Sequence, residues 1–436
     1  MARICLVTTS QPSANPRLVK EADALVGAGH DVHVVGAHWV DWATDGDAAL
    51  VTSRGWSFSF VDWRKRVRPA LWWSSRFRQH AARRLCDVIR PKPWVAEAAL
   101  TRIAPELARE VRRHAADLYI AHNLGALPIA IDAARRVGAR VGFDAEDFHS
   151  GQLSPDSDRL LHSITETIER RALPECDYVT AAAPLIADAY AALCHIPTPD
   201  VVLNVFSTRH RPPVPSTSRD GQVRLYWFSQ TIGPDRGLED AVAALGLLRD
   251  PRVALHLRGR WQEGYEPRLR RLASDAGVAS EQIVAHPPAN PDAMVSLAAD
   301  MDIGLALEPP ASRNNDILWS NKAFTYLLGG TPVVLSRTTG QSRLAQLFGE
   351  AALTYAPGDA RELAIALERW TKNPRALSQA RSLAWRLGDE RYNWEVEAPR
   401  FLTIVSEVLE RGPRAISARS TTAAPDRLRH LKATDP

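Results

Sequence analysis

Three groups of residues carry side chains whose types and spacing could do chemistry. In the first, a strand ends at Glu308, and a polar loop follows with Arg313, Asn314, Asn315 and Asp316. Ser320 or Asn321 then caps a helix. Its first turn holds Lys322, and Lys322, Thr325 and Gly329 line one side of it while Phe324, Leu327 and Leu328 line the other. The helix dipole disfavours a lysine there, so its presence asks for an anion. A solvated lysine beside an ordinary cap accounts for the same residues. The second group is Arg236 before Gly237, in a turn after a strand, where an open α/β sheet receives ligands. The third is His149, beside Glu146 and Asp147 in the loop after strand 139–144.

The chemistry these residues suit is the holding of a charged, phosphate-bearing ligand, because helix N-termini present free N–H groups and a positive dipole end. Several common versions of that chemistry are excluded. No Gly-Lys dipeptide occurs, so there is no Walker A loop, and Gly27-x-Gly29 precedes a strand instead of following one, which makes it a helix C-cap. No GxSxG and no HExxH is present. Asp300-Met301-Asp302 has a DxD spacing but closes a helix and opens a strand, so it reads as a cap and turn, with no metal expected.

The elements that must position these groups are set by length and pattern. The 436 residues suit two domains and a short appendage, and 45% hydrophobic with 24% charged residues is globular composition. With 54 basic against 50 acidic residues the net charge is +4, which gives no support to global nucleic-acid binding. Cys5, Cys86, Cys176 and Cys194 form no CxxC pair, against a disulfide framework or structural zinc. The apolar stretch Ile4 to Val7 is too short for a signal peptide and no run suits a membrane span, so a soluble cytoplasmic protein is expected, possible membrane contact being confined to its surface.

Short apolar runs alternate with helical patterns: strands at 3–9, 31–36, 117–121, 139–144 and 177–182 in the first half, and at 222–229, 253–257, 282–285, 302–307 and 332–336 in the second. Repeated strand–helix–strand units imply parallel sheets covered on both faces. The fold expected is α/β: two doubly wound Rossmann-like domains facing each other across a cleft. Residues 1–206 form the first, 207–221 a proline-rich linker, 222–392 the second, and 413–436 a polar tail without periodicity, read as disordered.

SNKAFTYLLGGTPVV (320–334) resembles the donor-binding signature of GT-B glycosyltransferases of family 4. NPRLVKEADALVGAGHDVHVVG (15–36), FDAEDFHSG (143–151), ECDYVTAAAPLIADAYA (from Glu175), VVLNVF (201–206) and WFSQTIGPDRGLEDAV (227–242) are similar to other parts of such enzymes, in order along about 400 residues. The resemblance implies an acceptor-binding N-terminal domain, a nucleotide-sugar-binding C-terminal domain, and residues 393–412 as a helix crossing back to the first domain. It further implies a nucleotide-diphosphate sugar as donor substrate, retention of anomeric configuration, no obligatory metal or other cofactor, and a glycan or lipid-linked acceptor in surface polysaccharide or glycoconjugate biosynthesis. Donor contacts fall on Gln230, Arg236, Glu308, Asp316, Asn321, Lys322 and Thr325, and catalytic roles on His149, Asp147, Arg236 and Lys322. The chain departs from the family pattern where two glutamates eight apart are matched by Ile317 and Thr325, leaving Glu308 and Asp316 as substitutes. Gln230 stands where an arginine is expected and Arg236 where a lysine is. A nucleotide-sugar epimerase of related fold, or a degenerate nucleotide- or glycan-binding subunit, are the competing readings.

Residues 56–85 form a separate patch: Trp56, Phe58, Phe60, Trp63, Trp72, Trp73 and Phe77 interleave with eight arginines and lysines, and Asp62 is the sole acid. Such interleaving suits an anionic membrane surface, and an ordinary amphipathic helix with a solvated basic face accounts for it equally.

Overall fold

The computed structural model describes residues 1–89, 91–153, 158–214 and 221–414. Two all-parallel sheets organise it. The first contains β1 (Arg3–Thr8), β2 (Asp31–His38), β3 (Ser57–Asp62), β4 (Leu118–His122), β5 (Arg140–Ala145), β6 (Tyr178–Ala181) and β7 (Asp200–Val201), in the order β3-β2-β1-β4-β5-β6-β7. The second contains β8 (Val223–Ile232), β9 (Val253–Trp261), β10 (Ile283–His286), β11 (Ile303–Ala306), β12 (Val333–Ser336) and β13 (Ala352–Tyr355), in the order β10-β9-β8-β11-β12-β13. The central strands are largely apolar because helices cover both faces: every residue of β4, β11 and β12 is buried. Strand order reverses between β1 and β4 in one sheet and between β8 and β11 in the other. These are the crevices in which open α/β sheets bind ligands.

The two halves share a core. One apolar cluster lies on one face of the first sheet and another on one face of the second. A third runs from Leu18 and Leu25 of the helix Pro16–Gly27 through Val202 and Val205 to Phe401 and Val405, and on to Phe324 and Phe348 of the second half. The helix Trp394–Glu410 makes that continuity: Trp394 N–H donates to the Phe206 carbonyl (2.9 Å), and Glu397 Oε2 accepts from Leu203 N–H (3.0 Å).

Two local features differ from the sequence reading. The patch 56–85 is not one unit. Its start is the edge strand β3, with Trp56 buried and its indole N–H donating to Asp23 (2.9 Å), while Phe60 stacks on His38 at 3.8 Å. The remainder enters the helix Pro69–Val88. The expected linker and tail lie partly outside the described residues, at 215–220 and 415–436. Arg414 is tied to the first half, its N–H donating to the Gly138 carbonyl (2.7 Å) and its guanidinium lying 2.8 Å from Asp177.

Candidate active site

The carboxyl edges of the two sheets meet through loops. After β5, Phe148 N–H donates to Asn314 Oδ1 (2.7 Å), and Asn314 Nδ2 donates to Asp147 Oδ1 (2.9 Å). Asn314 belongs to the short helix Arg313–Ile317, which stands after β11 where the sequence suggested a loop, and is 3% exposed, so its two bonds across the halves are shielded from water. Arg313 stacks over the Phe148 ring at 5.1 Å, and Arg260, at the end of β9, lies 5.2 Å from the Trp42 ring after β2. Asp147 is therefore spent on positioning, with Oδ2 accepting from Gln152 Nε2 (2.9 Å).

In the second half, Glu308 and Lys322 come together at the β8/β11 switch, beside the turn that carries Arg236. Gly237 has φ +73°, and a Cβ there would stand 2.3 Å from the Leu307 carbonyl oxygen, so glycine lets the Arg236 turn press against the chain at Glu308. Lys322 pairs with Glu308, both side chains half-buried, and its ammonium sits 5.6 Å from the Trp227 ring centre. The anion that a first-turn lysine calls for is, in this structure, the Glu308 carboxylate. Ser320 Oγ donates to the same oxygen (3.3 Å), and the other, Oε2, is buried with no hydrogen-bond partner among the described residues. The Glu308 carbonyl accepts from Ser336 Oγ (2.6 Å), which accepts in turn from the buried Gln341 Nε2 (2.6 Å). Arg236 is exposed and has no partner among the described residues.

The other expected donor contacts are placed differently. Asp316 accepts from the Thr339 N–H (2.9 Å) and hydroxyl (2.8 Å), tying its segment to the start of the helix Thr339–Phe348. Thr325 is 1% exposed, its hydroxyl donating to the Asn321 carbonyl (3.1 Å). Asn321 is exposed at its helix start, and Gln230 is exposed within the register shift of β8 between Phe228 and Thr231. Asp302 accepts from Arg224 N–H (2.9 Å) and lies 3.2 Å from Arg381, so the DxD segment is held by the sheet and a guanidinium.

In the first half lies a buried ionic network that sequence reasoning missed. Arg17 donates through Nε and Nη2 to both oxygens of Asp144 (2.6 Å each) and through Nη1 to the Val202 carbonyl (2.6 Å). Asp144 also accepts from Thr180 (2.8 Å). His122 stands between two carboxylates, 3.3 Å from Glu21 and 3.5 Å from Asp144. Burial opposes charge on His122, but Glu21 and Asp144 outweigh it and lift the imidazole to about 10. Burial would raise Asp144, yet Arg17 and His122 hold it well below the usual carboxylate range. Glu21, His122 and Asp144 offer one donor atom each within 4.8 Å of one another, a spacing a metal could use. Arg17 already lies bidentate on Asp144, so the arrangement is an ion-pair network.

That network fixes the end of β5 and the loop leaving it. Glu146, half-buried, is pushed up to about 7 by burial and then by the nearby Asp144 charge. Lys20 is pulled down to about 7 by burial and by Arg17, and its ammonium donates to Asn204 (2.9 Å) and to the Val205 carbonyl. His149 N–H donates to Tyr190 Oη (3.1 Å), while its Nε2 is buried without a hydrogen-bond partner among the described residues. His149 lines a cavity of about 480 Å³ at the β1/β4 switch, with Thr9, Arg102, Asn123, Gly125 and Gln152. Thr9 Oγ1 donates to Asn123 Oδ1 (2.9 Å), and Asn123 sits at φ +71°, in the left-handed region.

No family model and no curated protein matches the chain. Solved structures do. HepE of Anabaena in complex with UDP is 15% identical, with 93% of this chain and 100% of that one covered, at a TM-score of 0.65. Sucrose-phosphate synthase from Thermosynechococcus elongatus is 13% identical over 94% and 100%, at 0.71. An alpha,alpha-trehalose-phosphate synthase (UDP-forming) from Burkholderia vietnamiensis is 15% identical over 93% and 100%, at 0.62. At these identities the likeness is one of fold, and it extends over both halves: the chain has the two-domain Rossmann-like GT-B architecture that these glycosyltransferases share.

Proposed function

We propose that the protein is a glycosyltransferase, holding a nucleotide-diphosphate sugar in its C-terminal half and an acceptor in the cavity of its N-terminal half. The observation that carries this reading is the Asn314 bridge. It brings the His149 loop of one sheet against the loop that follows Glu308 in the other, at the carboxyl edges where each fold binds ligands. HepE has been captured with UDP and with UDP-glucose, and uridine diphosphate sugars are accordingly the first donors to test.

In the reaction the anomeric carbon–phosphate oxygen bond breaks, and the nucleoside diphosphate leaves with the electron pair. An acceptor hydroxyl oxygen bonds to the anomeric carbon and gives its proton to the departing phosphate, on the sugar's original face. Charge grows on the diphosphate in the transition state, so fixed cations there lower the barrier. Lys322 and Arg236 supply them, together with the N–H groups that open the helix Asn321–Leu328. Glu308 Oε2 offers an acceptor to a sugar hydroxyl. His149 orients the hexose or the acceptor, and Asp147 holds the two halves at working distance.

The test is to follow melting temperature with UDP, GDP, UDP-glucose and GDP-mannose, and then to follow release of free nucleoside diphosphate from the stabilising donor. Stabilisation by one diphosphate and slow release are expected, since a ligand bound to the folded state raises its apparent stability by mass action. Binding without release under any acceptor condition would mark a degenerate binding subunit. No stabilisation by any of the four would remove the reading.

A further inference from the structure

The helix Pro69–Val88 has two unlike faces. Ser75, Ala82 and Cys86 are buried, and Gln79 donates to the Ala99 and Leu100 carbonyls (3.1 Å each), so this face is fully engaged by the helix Pro93–Leu100. The opposite face carries Trp73, Phe77, Ala81, Arg84 and Val88, at the three- and four-residue spacing that puts side chains in one stripe. Nothing covers it among the described residues: Trp73 is 57% exposed, Phe77 75% and Val88 81%. Beyond the helix end, Ile89 and Trp94 (65%) are exposed too.

Charge of one sign surrounds this stripe. Arg76, Arg83 and Arg84 lie on the helix, and Lys65, Arg66 and Arg68 precede it, all exposed, whereas Asp87 is the helix's only acid. Lys65 lies over Trp72 and Trp73 at 5.2 and 5.5 Å, so cation and indole share one level. The surface is a convex helix about 30 Å long, not a groove, which suits a flat partner better than a strand of bases. Aromatic side chains projecting between cations match a bilayer interface, where rings sit among headgroups and cations pair with phosphates.

We propose that this helix lies in the plane of an anionic membrane, seating Trp73, Phe77 and Val88 among the lipids and its arginines on the headgroup phosphates. The inference is independent of the sugar-transfer reading, since it uses no residue of the cleft. Gln79 of the same helix lines the cavity that holds His149. Docking therefore holds that cavity within about one helix diameter, ~10 Å, of the lipid surface.

Flotation of the full-length protein with phosphatidylglycerol-containing vesicles and with pure phosphatidylcholine vesicles tests it. Binding to the anionic vesicles alone is expected, weakening as salt rises. Trp73→Ser with Phe77→Ser, and separately Arg76→Glu with Arg84→Glu, should each lower that binding at least tenfold, since each cation near the surface is worth about fivefold. Arg361→Glu with Arg375→Glu, both exposed on the other half, should leave it unchanged. All these side chains are exposed, and unaltered melting temperatures establish that the variants fold. Equal flotation of wild type and helix variants, equal binding to both vesicle types, or no binding at all overturns the proposal. So does loss of oligonucleotide binding in the arginine variant without loss of flotation, or a dimer in sedimentation velocity that the Trp73 and Phe77 changes dissolve.

Discussion

Replacing Arg17 by leucine removes the only guanidinium on Asp144 among the described residues while keeping an apolar stem of similar reach. Arg17 and Asp144 are both buried, and three hydrogen bonds of 2.6 Å leave with the arginine. Breaking a buried pair by deleting one partner costs about 3–5 kcal/mol, because the other charge is left uncompensated. Against a typical stability of about 5–15 kcal/mol that is a large fraction. Urea titrations followed by hydrogen exchange of residues 118–150 would assign the loss to the N-terminal half, since a two-domain chain need not unfold in one step. The pH dependence carries its own sign. Asp144 is held below its ordinary value in the folded protein, so its contribution is present in full above about pH 4 and fades as pH falls through the folded value. Arg17→Leu removes that contribution, and the gap between wild type and variant should be widest near pH 7 and narrow towards pH 3. Adding Asp144→Leu should return part of the loss, with a coupling of about 0.5–3 kcal/mol. A gap below about 1 kcal/mol at pH 7, or one that stays flat down to pH 3, would refute the network as described.

Other expectations are more compact. Lys322→Ala should cut turnover ~10²-fold while the protein stays folded, and Lys322→Arg should rescue only part, because a planar fork does not reproduce a compact ammonium; wild-type turnover in folded Lys322→Ala would remove the diphosphate contact. Asn314→Ala deletes both bonds across the cleft. Small-angle scattering should show a more open particle and kinetics a lower kcat/KM, whereas an unchanged scattering profile counts against the bridge. Gly237→Ala puts a Cβ 2.3 Å from the Leu307 carbonyl at positive φ, so donor affinity and melting temperature should fall together, by about 1–3 kcal/mol in stability. His122, lifted to about 10 from an ordinary 6.5, contributes stability in full below about pH 6.5 that is lost as pH rises through 10. The stability difference from His122→Gln should shrink over that interval, and a difference that grows with pH contradicts the assignment.

The doubly wound halves were legible because buried parallel strands are short, largely apolar runs, as in β1, β4 and β11. β3 was hidden although Ser57-Phe58-Ser59-Phe60 alternates with period two, since its aromatics merge by composition with the basic stretch that follows. In the site, Lys322 and Glu308 were recognisable as residue types, but their pairing spans fourteen positions and needs the β11 turn to close it. Asp316 looked equally available as a carboxylate, and only the fold shows it engaged by Thr339. Arg17, His122 and Asp144 were the hardest to find. Arg17 and Glu21 sit four apart on a helix, a pattern that ordinarily means a solvated pair, and His122 and Asp144 are polar ends of apolar strands more than a hundred residues away. Polar residues closing buried strands were the available signal.

The helix Trp394–Glu410 makes the first half discontinuous in sequence, and this has a consequence during synthesis. Residues 1–206 leave the ribosome with Leu18, Val202 and Val205 facing a surface whose cover, Phe401 and Val405, is still roughly two hundred residues from being made. At about 5–20 residues per second, that delay is on the order of 10–40 s. Through that interval the nascent first half presents an apolar stripe with the unpaired Leu203 N–H and Phe206 carbonyl at its margin, a surface suited to a chaperone or to a neighbouring nascent chain. Chains truncated before Trp394 should carry the same surface permanently and aggregate, however complete their second sheet.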